Sequence, residues 1–264
     1  MLDSGGMSTL RLERRDGLLL VRLDKPRGNA IDEALIDDLL RAVPEIDGDP
    51  GISGVLLASA HPKLFSPGLD LVSLVELDRA RMERFMLRFS EAMASLYGLG
   101  KPVVAAVNGH AVAGGCILAL TADWRALKRG AQIGLNEVKV GVPLPWSVAT
   151  LLRASVPPQF LSRVALLGRN FADEEALAVG LADEILDGEG FEEACLARLR
   201  EFAEKDATAL SRTKGYLRGR VLAEMKARES ELLGEWLESW FSEGTRARIR
   251  KIVDGISRPS LSPT

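Results

Sequence analysis

Residues 102–118 read PVVAAVNGHAVAGGCIL, and this stretch decides the fold class. Pro102–Asn108 is a short, continuous apolar run, which predicts a buried strand. A glycine-containing loop follows, and Gly114-Gly115 then opens an apolar helix that is predicted to reach about Thr121. A buried strand that leads directly into an apolar helix favours an α/β fold with a mostly parallel sheet.

The Gly114 end of this helix is a candidate site for negative charge. The first N–H groups of a helix lack internal partners and lie at the positive end of its dipole. Glycine there lets a ligand approach the backbone closely. The alternative is that the glycines only allow helix and strand to pack. The spacing fits neither a dinucleotide fingerprint nor a phosphate loop, since GxGxxG and Gly-Lys-Ser/Thr are both absent.

Strands and helices alternate through the first half of the chain, and helices dominate the second half. The sequence therefore predicts an α/β core over residues 1–206 and a packed helical region over 207–264. The remaining predicted elements are a hairpin (Leu10–Arg14, Leu18–Asp24), a helix capped by Asp32 to about Ile46, a strand (Gly54–Ser59), a helix (Leu77–Tyr97), two short strands (Trp124–Leu127, Gln132–Gly134) and three helices (Asp173–Val179, Phe191–Glu204, Val221–Trp240).

Composition excludes several classes of protein. The 264 residues are 47% hydrophobic and 27% charged, which is typical of a globular chain and not of a disordered or collagen-like one. A net charge of −3 lacks the basic footprint of a nucleic-acid binder. No apolar run approaches a membrane span, so we expect no membrane partner. Two cysteines and no visible export signal predict a cytoplasmic protein, and two histidines argue against a histidine-rich metal site.

The stretch FSPGLDL, Phe65–Leu71, predicts a tight turn. Pro67 fixes φ and Gly68 can take the positive φ that a type II turn needs. Such a turn can present the backbone N–H of Leu69 outward. The alternative is an ordinary surface turn, because Pro-Gly turns are common.

A lone carboxylate, Glu137, stands among apolar and glycine residues in IGLNEVKVGVPLPW, Ile133–Trp146. Partial burial can tune such a group for acid–base work. A surface glutamate or a capping one is the alternative, and the spacing leaves both open. Other notable residues have ordinary explanations: Cys116 as a buried inert thiol, Trp236 and Trp240 as core or interface packing, and the basic run Thr245–Lys251 as a solvated helix face.

Four stretches, in this order, resemble the crotonase (enoyl-CoA hydratase/isomerase) superfamily: KPRGNAID (25–32), FSPGLDL (65–71), NGHAVAGGCILAL (108–120) and ALAVGLADEIL (176–186). The resemblance extends from the hairpin to about Gly215. It implies a spiral of ββα units that carries an acyl-CoA site, with residues 207–264 as a helical trimerisation region. It also implies a homotrimer or a dimer of trimers, and no metal or redox cofactor, because CoA is part of the substrate.

The resemblance also assigns roles to residues. The oxyanion donors would be the backbone N–H groups of Leu69 and Gly114, and Glu137 would be the catalytic carboxylate. Substrate contacts would come from the two loops and their surroundings, namely Lys25, Arg27, Asn29, Ala30, Phe65, Ser66, Pro67, Gly68, Asp70, Ile117 and Trp146.

One departure from the family pattern separates possible reactions. This departure is at Ile117, where hydratases carry a second glutamate. A further departure, which does not separate the reactions, is Pro67, which stands where alanine is more usual. The surrounding motifs are similar to those of mitochondrial-type Δ3,Δ2-enoyl-CoA isomerases, which carry an aliphatic residue at the place of Ile117. We therefore expect a single-glutamate shift of a 3-enoyl-CoA double bond. The alternatives are a hydratase or another crotonase-type lyase or hydrolase, and, in another class, a non-catalytic acyl-CoA-binding or RNA-binding scaffold.

Overall fold

The computed structural model describes residues 6–26 and 28–257. Its strands are β1 (Leu10–Arg15), β2 (Leu18–Leu23), β3 (Gly54–Ser59), β4 (Leu64–Ser66), β5 (Val103–Val107), β6 (His110–Val112), β7 (Trp124–Lys128), β8 (Gln132–Gly134), β9 (Asn170–Ala172) and β10 (Glu184–Leu186). Its helices are α1 (Glu33–Gly48), α2 (Leu71–Leu74), α3 (Arg79–Gly98), α4 (Gly114–Leu120), α5 (Glu137–Val140), α6 (Trp146–Ser155), α7 (Leu161–Leu166), α8 (Asp173–Ala178), α9 (Phe191–Ala203), α10 (Ala207–Ala227), α11 (Glu229–Phe241) and α12 (Glu243–Ser257).

Two sheets form the core and confirm the predicted α/β class. The larger has the order β1-β2-β3-β5-β7-β10, in which every pair except β1–β2 is parallel. The predicted hairpin at β1–β2 is confirmed, and Asp16 and Gly17 at its turn both have positive φ, as a type I′ turn requires. The smaller sheet, β4-β6-β8-β9, connects at its strand ends to the loops that carry the candidate site.

Local sequence signals explain where several elements begin. Asp32 accepts a hydrogen bond from Leu35 N and caps α1, as predicted. Asp78 caps α3 in the same way through Arg81 N. The run GVLLAS forms β3 and is buried along its whole length, because helices cover both faces of a parallel sheet.

The C-terminal region differs from the prediction. The predicted helix Val221–Trp240 is divided between α10 and α11, and the break falls at Arg228. The next residue, Glu229, is buried, and its carboxylate accepts hydrogen bonds from Ser147 N (2.7 Å) and Ser147 Oγ (3.1 Å). Because α11 begins at Glu229, this side chain lies against α6. The residues around it in the sequence do not predict that contact.

The apolar face of α11 is covered by this chain itself. Leu233, Trp236, Leu237 and Trp240 are all buried, and α11 packs on α3, α6, α10 and α12. The sequence left Trp236 and Trp240 as core or interface packing, and packing within the chain accounts for both. The predicted boundary coincides with the start of α10 at Ala207, and the use of residues 207–264 for assembly stays a prediction.

A buried ionic cluster fastens α10 to the core. Lys214 Nζ donates to Asp123 Oδ2 (2.6 Å) and Lys101 O (2.7 Å). Arg218 pairs with the other oxygen of Asp123 at 2.8 Å and also donates to Tyr97 O. Burial lowers the pKa of Lys214 to about 8, and Asp123 opposes this shift. Because one carboxylate meets two cations that also donate to backbone carbonyls, this cluster ties α10 to the core.

The described residues contain neither a membrane-spanning helix nor a metal-binding cluster. Among residues 6–26 and 28–257, no helix is both long and apolar enough to cross a bilayer. The same residues contain no group of three His, Cys, Asp or Glu side chains that could hold a metal ion.

Candidate active site

The loop after β4 directs the Leu69 amide toward the site. Ile31 N donates to Gly68 O, and Asp70 N donates to Ile31 O, both at 2.8 Å. Because alternate residues of an extended segment point to opposite sides, the Leu69 N–H faces away from Ile31. Asp70 then caps α2 by accepting from Val72 N and Ser73 N, which fixes the end of the loop.

The second amide belongs to Gly114, the first residue of α4. Ala113 precedes it with φ 50° and ψ −120°, a conformation that a non-glycine residue adopts only under strain. Ala113 N donates to Gly134 O at 2.8 Å and anchors this turn to β8. The strained residue sets the direction of the α4 N-terminus, where the Gly114 N–H has no intrahelical partner.

Glycines let the two loops meet. Gly68 has φ 93°, and a Cβ built on it would lie 3.0 Å from Gly114 N. A Cβ on Gly115 would overlap Ser66 O. These positions therefore require glycine, and the backbone of Gly68 lies directly against the start of α4.

Glu137 is the first residue of α5, the single turn that follows β8. Its Oε2 is buried and accepts no hydrogen bond from the described residues. Burial raises its pKa to about 7, and the backbone N–H groups of Glu137 and Asn136 oppose the shift. The nearby Cys116 thiol of α4 stays neutral, because burial and the charge of Glu137 both raise its pKa. Such a carboxylate exchanges protons readily near neutral pH.

A cavity of about 440 Å³ joins these groups. It brings together seven of the predicted site residues: Ala30, Pro67, Leu69, Asp70, Gly114, Ile117 and Glu137. The rest of its wall is mostly apolar, which suits a hydrocarbon chain rather than a polar ligand. Cys116 is fully buried beneath this wall, which confirms its interpretation as an inert thiol.

The other predicted contact residues lie behind or beside the cavity. Asn29 is buried and its amide donates to Ser59 Oγ (2.7 Å) and Phe65 O (3.0 Å). Phe65 and Ser66 are fully buried, and Ser66 Oγ donates to Asn29 O. Together with Gly68, these side chains hold the loop from behind, so their predicted contacts with substrate stay predictions.

The predicted CoA-binding loop presents less free charge than the sequence suggests. Lys25 Nζ donates to Ala30 O at 2.7 Å and pairs with Asp32, and its side chain is 10% exposed. Lys25 therefore closes its own loop. Arg27 lies outside the described residues. Trp146 lies to the side, where its indole N–H donates to Glu224 O and Arg153 and Arg228 cover the ring.

Sequence reasoning missed the helical wall of the cavity. This wall comprises Met86 and Phe89 of α3, Trp236 and Trp240 of α11, and Ile252 and Ile256 of α12. The two indoles stack with ring centroids 5.2 Å apart. The Trp pair was visible in the sequence as an aromatic pair one helical turn apart, but nothing local connects it to Glu137.

Comparisons with known proteins agree with this geometry. A sequence model described as "Enoyl-CoA hydratase/isomerase" matches residues 13–248. Human "Enoyl-CoA delta isomerase 1, mitochondrial" is 28% identical over 204 residues, which is 76% of this chain and 68% of the relative. The match to the rat counterpart spans 61% of its length. "Probable enoyl-CoA hydratase EchA17" of Mycobacterium tuberculosis is 30% identical over 199 residues, which is 75% of this chain and 76% of the relative.

The fold has a close structural counterpart as well. The crystal structure of human mitochondrial delta3-delta2-enoyl-CoA isomerase superposes with a TM-score of 0.87 at 23% identity, covering 94% of this chain and 98% of that one. At this identity the match supports the fold alone. With most of the chain matched by the family model, this protein belongs to the enoyl-CoA hydratase/isomerase family.

Proposed function

We propose that this protein is an enoyl-CoA isomerase that converts a 3-enoyl-CoA to the 2-enoyl-CoA. The observation that carries the proposal is the carboxylate of Glu137, which has a pKa of about 7 and a buried oxygen that accepts no hydrogen bond from the described residues. It shares an apolar cavity with the amides of Leu69 and Gly114.

The reaction needs one base and two hydrogen-bond donors. Glu137 removes a proton from C2, and the electrons form a dienolate whose negative charge collects on the thioester oxygen. The N–H groups of Leu69 and Gly114 stabilise that oxygen, and loss of one such donor typically costs about 3 kcal/mol. Glu137 then returns the proton to C4, which leaves the double bond between C2 and C3. The reaction conserves mass and calls for no redox cofactor.

Ile117 favours this reaction over hydration. It is buried in the wall of the same cavity, at the place where the family's hydratases carry a second glutamate. An aliphatic side chain there neither activates a water nor holds one. The apolar wall beyond it fits the acyl tail, which binds by removing apolar surface from water.

The proposal extends to partners and location. The substrate partner is an acyl-CoA, with CoA phosphates near the loop 25–30 and the exposed Lys63. We retain a homotrimer or dimer of trimers, a cytoplasmic location, and the absence of nucleic-acid and membrane partners as parts of the proposal.

The deciding experiment incubates the protein with cis- and trans-3-enoyl-CoA and, separately, with trans-2-enoyl-CoA. Products are resolved by chromatography and weighed by mass spectrometry. Isomerisation leaves the mass unchanged, whereas hydration adds one water. A hydrated product as the main outcome would replace the isomerase proposal with the hydratase alternative, and bound but unconverted acyl-CoA would favour a binding scaffold.

A further inference from the structure

Helix α12 contacts two segments next to the candidate site: the end of α5, which carries Glu137, and the end of α2, which follows the Leu69 loop. Thr245 Oγ1 donates to Gly141 O at 3.0 Å, and Arg248 Nε donates to Val140 O at 2.9 Å. Arg246 Nη2 donates to Val75 O at 2.7 Å. The first two carbonyls close α5, and the third follows α2. Helix α12, which is distant in sequence, therefore anchors the C-terminal ends of both α5 and α2.

The contact with α5 matters because so short a helix is not stable without contacts to other elements. It has four residues, Glu137–Val140, and its last carbonyls have no intrahelical partners. Gly141, the residue that ends α5, has φ 103°. A Cβ at this position would overlap Thr245 Oγ1 and the Arg248 guanidinium. Thr245 is 1% exposed, so its hydroxyl is fixed in place against this turn.

We propose that Thr245 and Arg248 are positioning residues, which act through α5 to hold the Glu137 carboxylate at the reacting carbons. The inference rests on the proposed function only for the proton transfers themselves. Neither side chain reaches the substrate in this arrangement, because both hydrogen bonds end on backbone carbonyls at the far end of α5.

The same helix limits water around Glu137. Ile252 and Ile256 of α12 line the cavity. Burial is the main cause of the raised pKa of Glu137. Among the described residues that line the cavity, Asp70 is the other ionisable one, and the Cys116 thiol lies near Glu137. When α12 loosens, water reaches the carboxylate, and its pKa falls toward the ordinary value.

Four variants and one control test the inference. Thr245→Val removes the hydroxyl at nearly constant volume, and Arg248→Met removes the donor from an exposed side chain. Each should lower kcat about tenfold, in line with the sensitivity of catalysis to small displacements, while KM changes less than twofold. Thr245→Ser and Arg248→Lys keep a donor and should recover most of the rate. Arg250→Met, an equal charge change at an exposed position of α12, should leave kcat unchanged.

A titration without substrate tests the inference independently of the reaction. In protein labelled with ¹³C at glutamate Cδ, the signal absent from Glu137→Gln identifies the carboxylate. Its pKa should fall by about one unit in Thr245→Val and Arg248→Met, because its burial is reduced. Unchanged titration and unchanged kcat in both variants, with melting temperatures near that of the unmutated protein, would overturn the inference. An unmutated protein that fails to move double bonds would overturn the proposed function and leave the titration result standing.

Discussion

Glu137 combines two properties that rarely occur in one carboxylate. Its Oε2 is buried and unpaired within the described residues, yet it lies in the wall of a cavity that a ligand can enter. The buried glutamate Glu229 instead has its oxygens occupied by Ser147. The contrast separates a carboxylate with a free buried oxygen, as the proposed proton transfer requires, from one that holds helices together.

Replacing Glu137 with glutamine should remove the proton carrier with little change in shape. We expect Glu137→Gln to lower kcat by at least about 100-fold, the usual contribution of a general base. Calorimetry with a saturated acyl-CoA should show binding within about threefold of the unmutated protein. In the unmutated protein, kcat/KM should fall below pH 7, because protonated Glu137 cannot accept a proton. Residual turnover within tenfold would assign the base to another residue.

Ile117 tests the choice between isomerase and hydratase. Ile117→Glu places a carboxylate on the α4 wall of the cavity, where it can orient a water. We expect detectable but weak hydration of trans-2-enoyl-CoA, since the new group lacks supporting contacts. Ile117→Gln, with a similar shape and no charge, is the matched control and should not hydrate. A folded Ile117→Glu protein without hydration would contradict this explanation of the residue.

At the scale of elements, the position of α4 against β4 decides where the two amides lie. Gly115 allows this contact, because any Cβ would overlap Ser66 O. Gly115→Ala should therefore separate β4 from α4, cost about 2 kcal/mol of unfolding free energy and lower kcat at least tenfold. Gly219→Ala is the control, since its Cβ in α10 meets only open space and should stabilise the helix slightly. Chemical denaturation and steady-state kinetics measure both. Equal effects of the two variants would show that the contact is unimportant.

The elements also show how far sequence reasoning reaches. The hairpin turn, the Asp32 cap and the limits of β3 depend on neighbouring residues, and they were predictable. Leu69, Gly114 and Glu137 could be named because glycine turns and a lone carboxylate are local patterns, and the family resemblance gave them roles. The break at Arg228 and the cavity wall from Trp236 to Ile256 depend on contacts with distant segments, which no local pattern encodes.

For the whole molecule, the raised pKa of Glu137 connects the site to stability. A folded-state pKa of about 7 against an ordinary 4.5 means that the folded protein binds this proton more tightly than the unfolded chain. The contribution is fully present below pH 4.5 and is lost as pH rises through 7, a difference of about 3 kcal/mol. Unfolding free energies of the unmutated protein and Glu137→Gln should therefore diverge between pH 4.5 and 7. Parallel curves would contradict the burial of this carboxylate.

Assembly is the second property of the whole molecule that can be tested. The face of α11 is buried within the chain, but Tyr216 and Leu217 of α10 are 83% and 74% exposed. Large contiguous apolar patches mark contact surfaces, and these two neighbouring side chains are where we expect such a patch on α10. We expect light scattering to give a trimer or hexamer, and Leu217→Glu to shift it toward monomer with unchanged circular dichroism. Arg220→Glu on the same helix is the control. A monodisperse monomer at micromolar concentration would contradict the assembly.

The strained backbone at Ala113 has a consequence for how this protein can change over evolutionary time. Glycine would adopt φ 50° and ψ −120° without strain, so one codon change offers a more relaxed fold. The same change would free the turn that aims the Gly114 N–H, and we expect the proposed catalysis to weaken. Selection for thermal stability alone therefore favours glycine at position 113, whereas selection for turnover favours alanine.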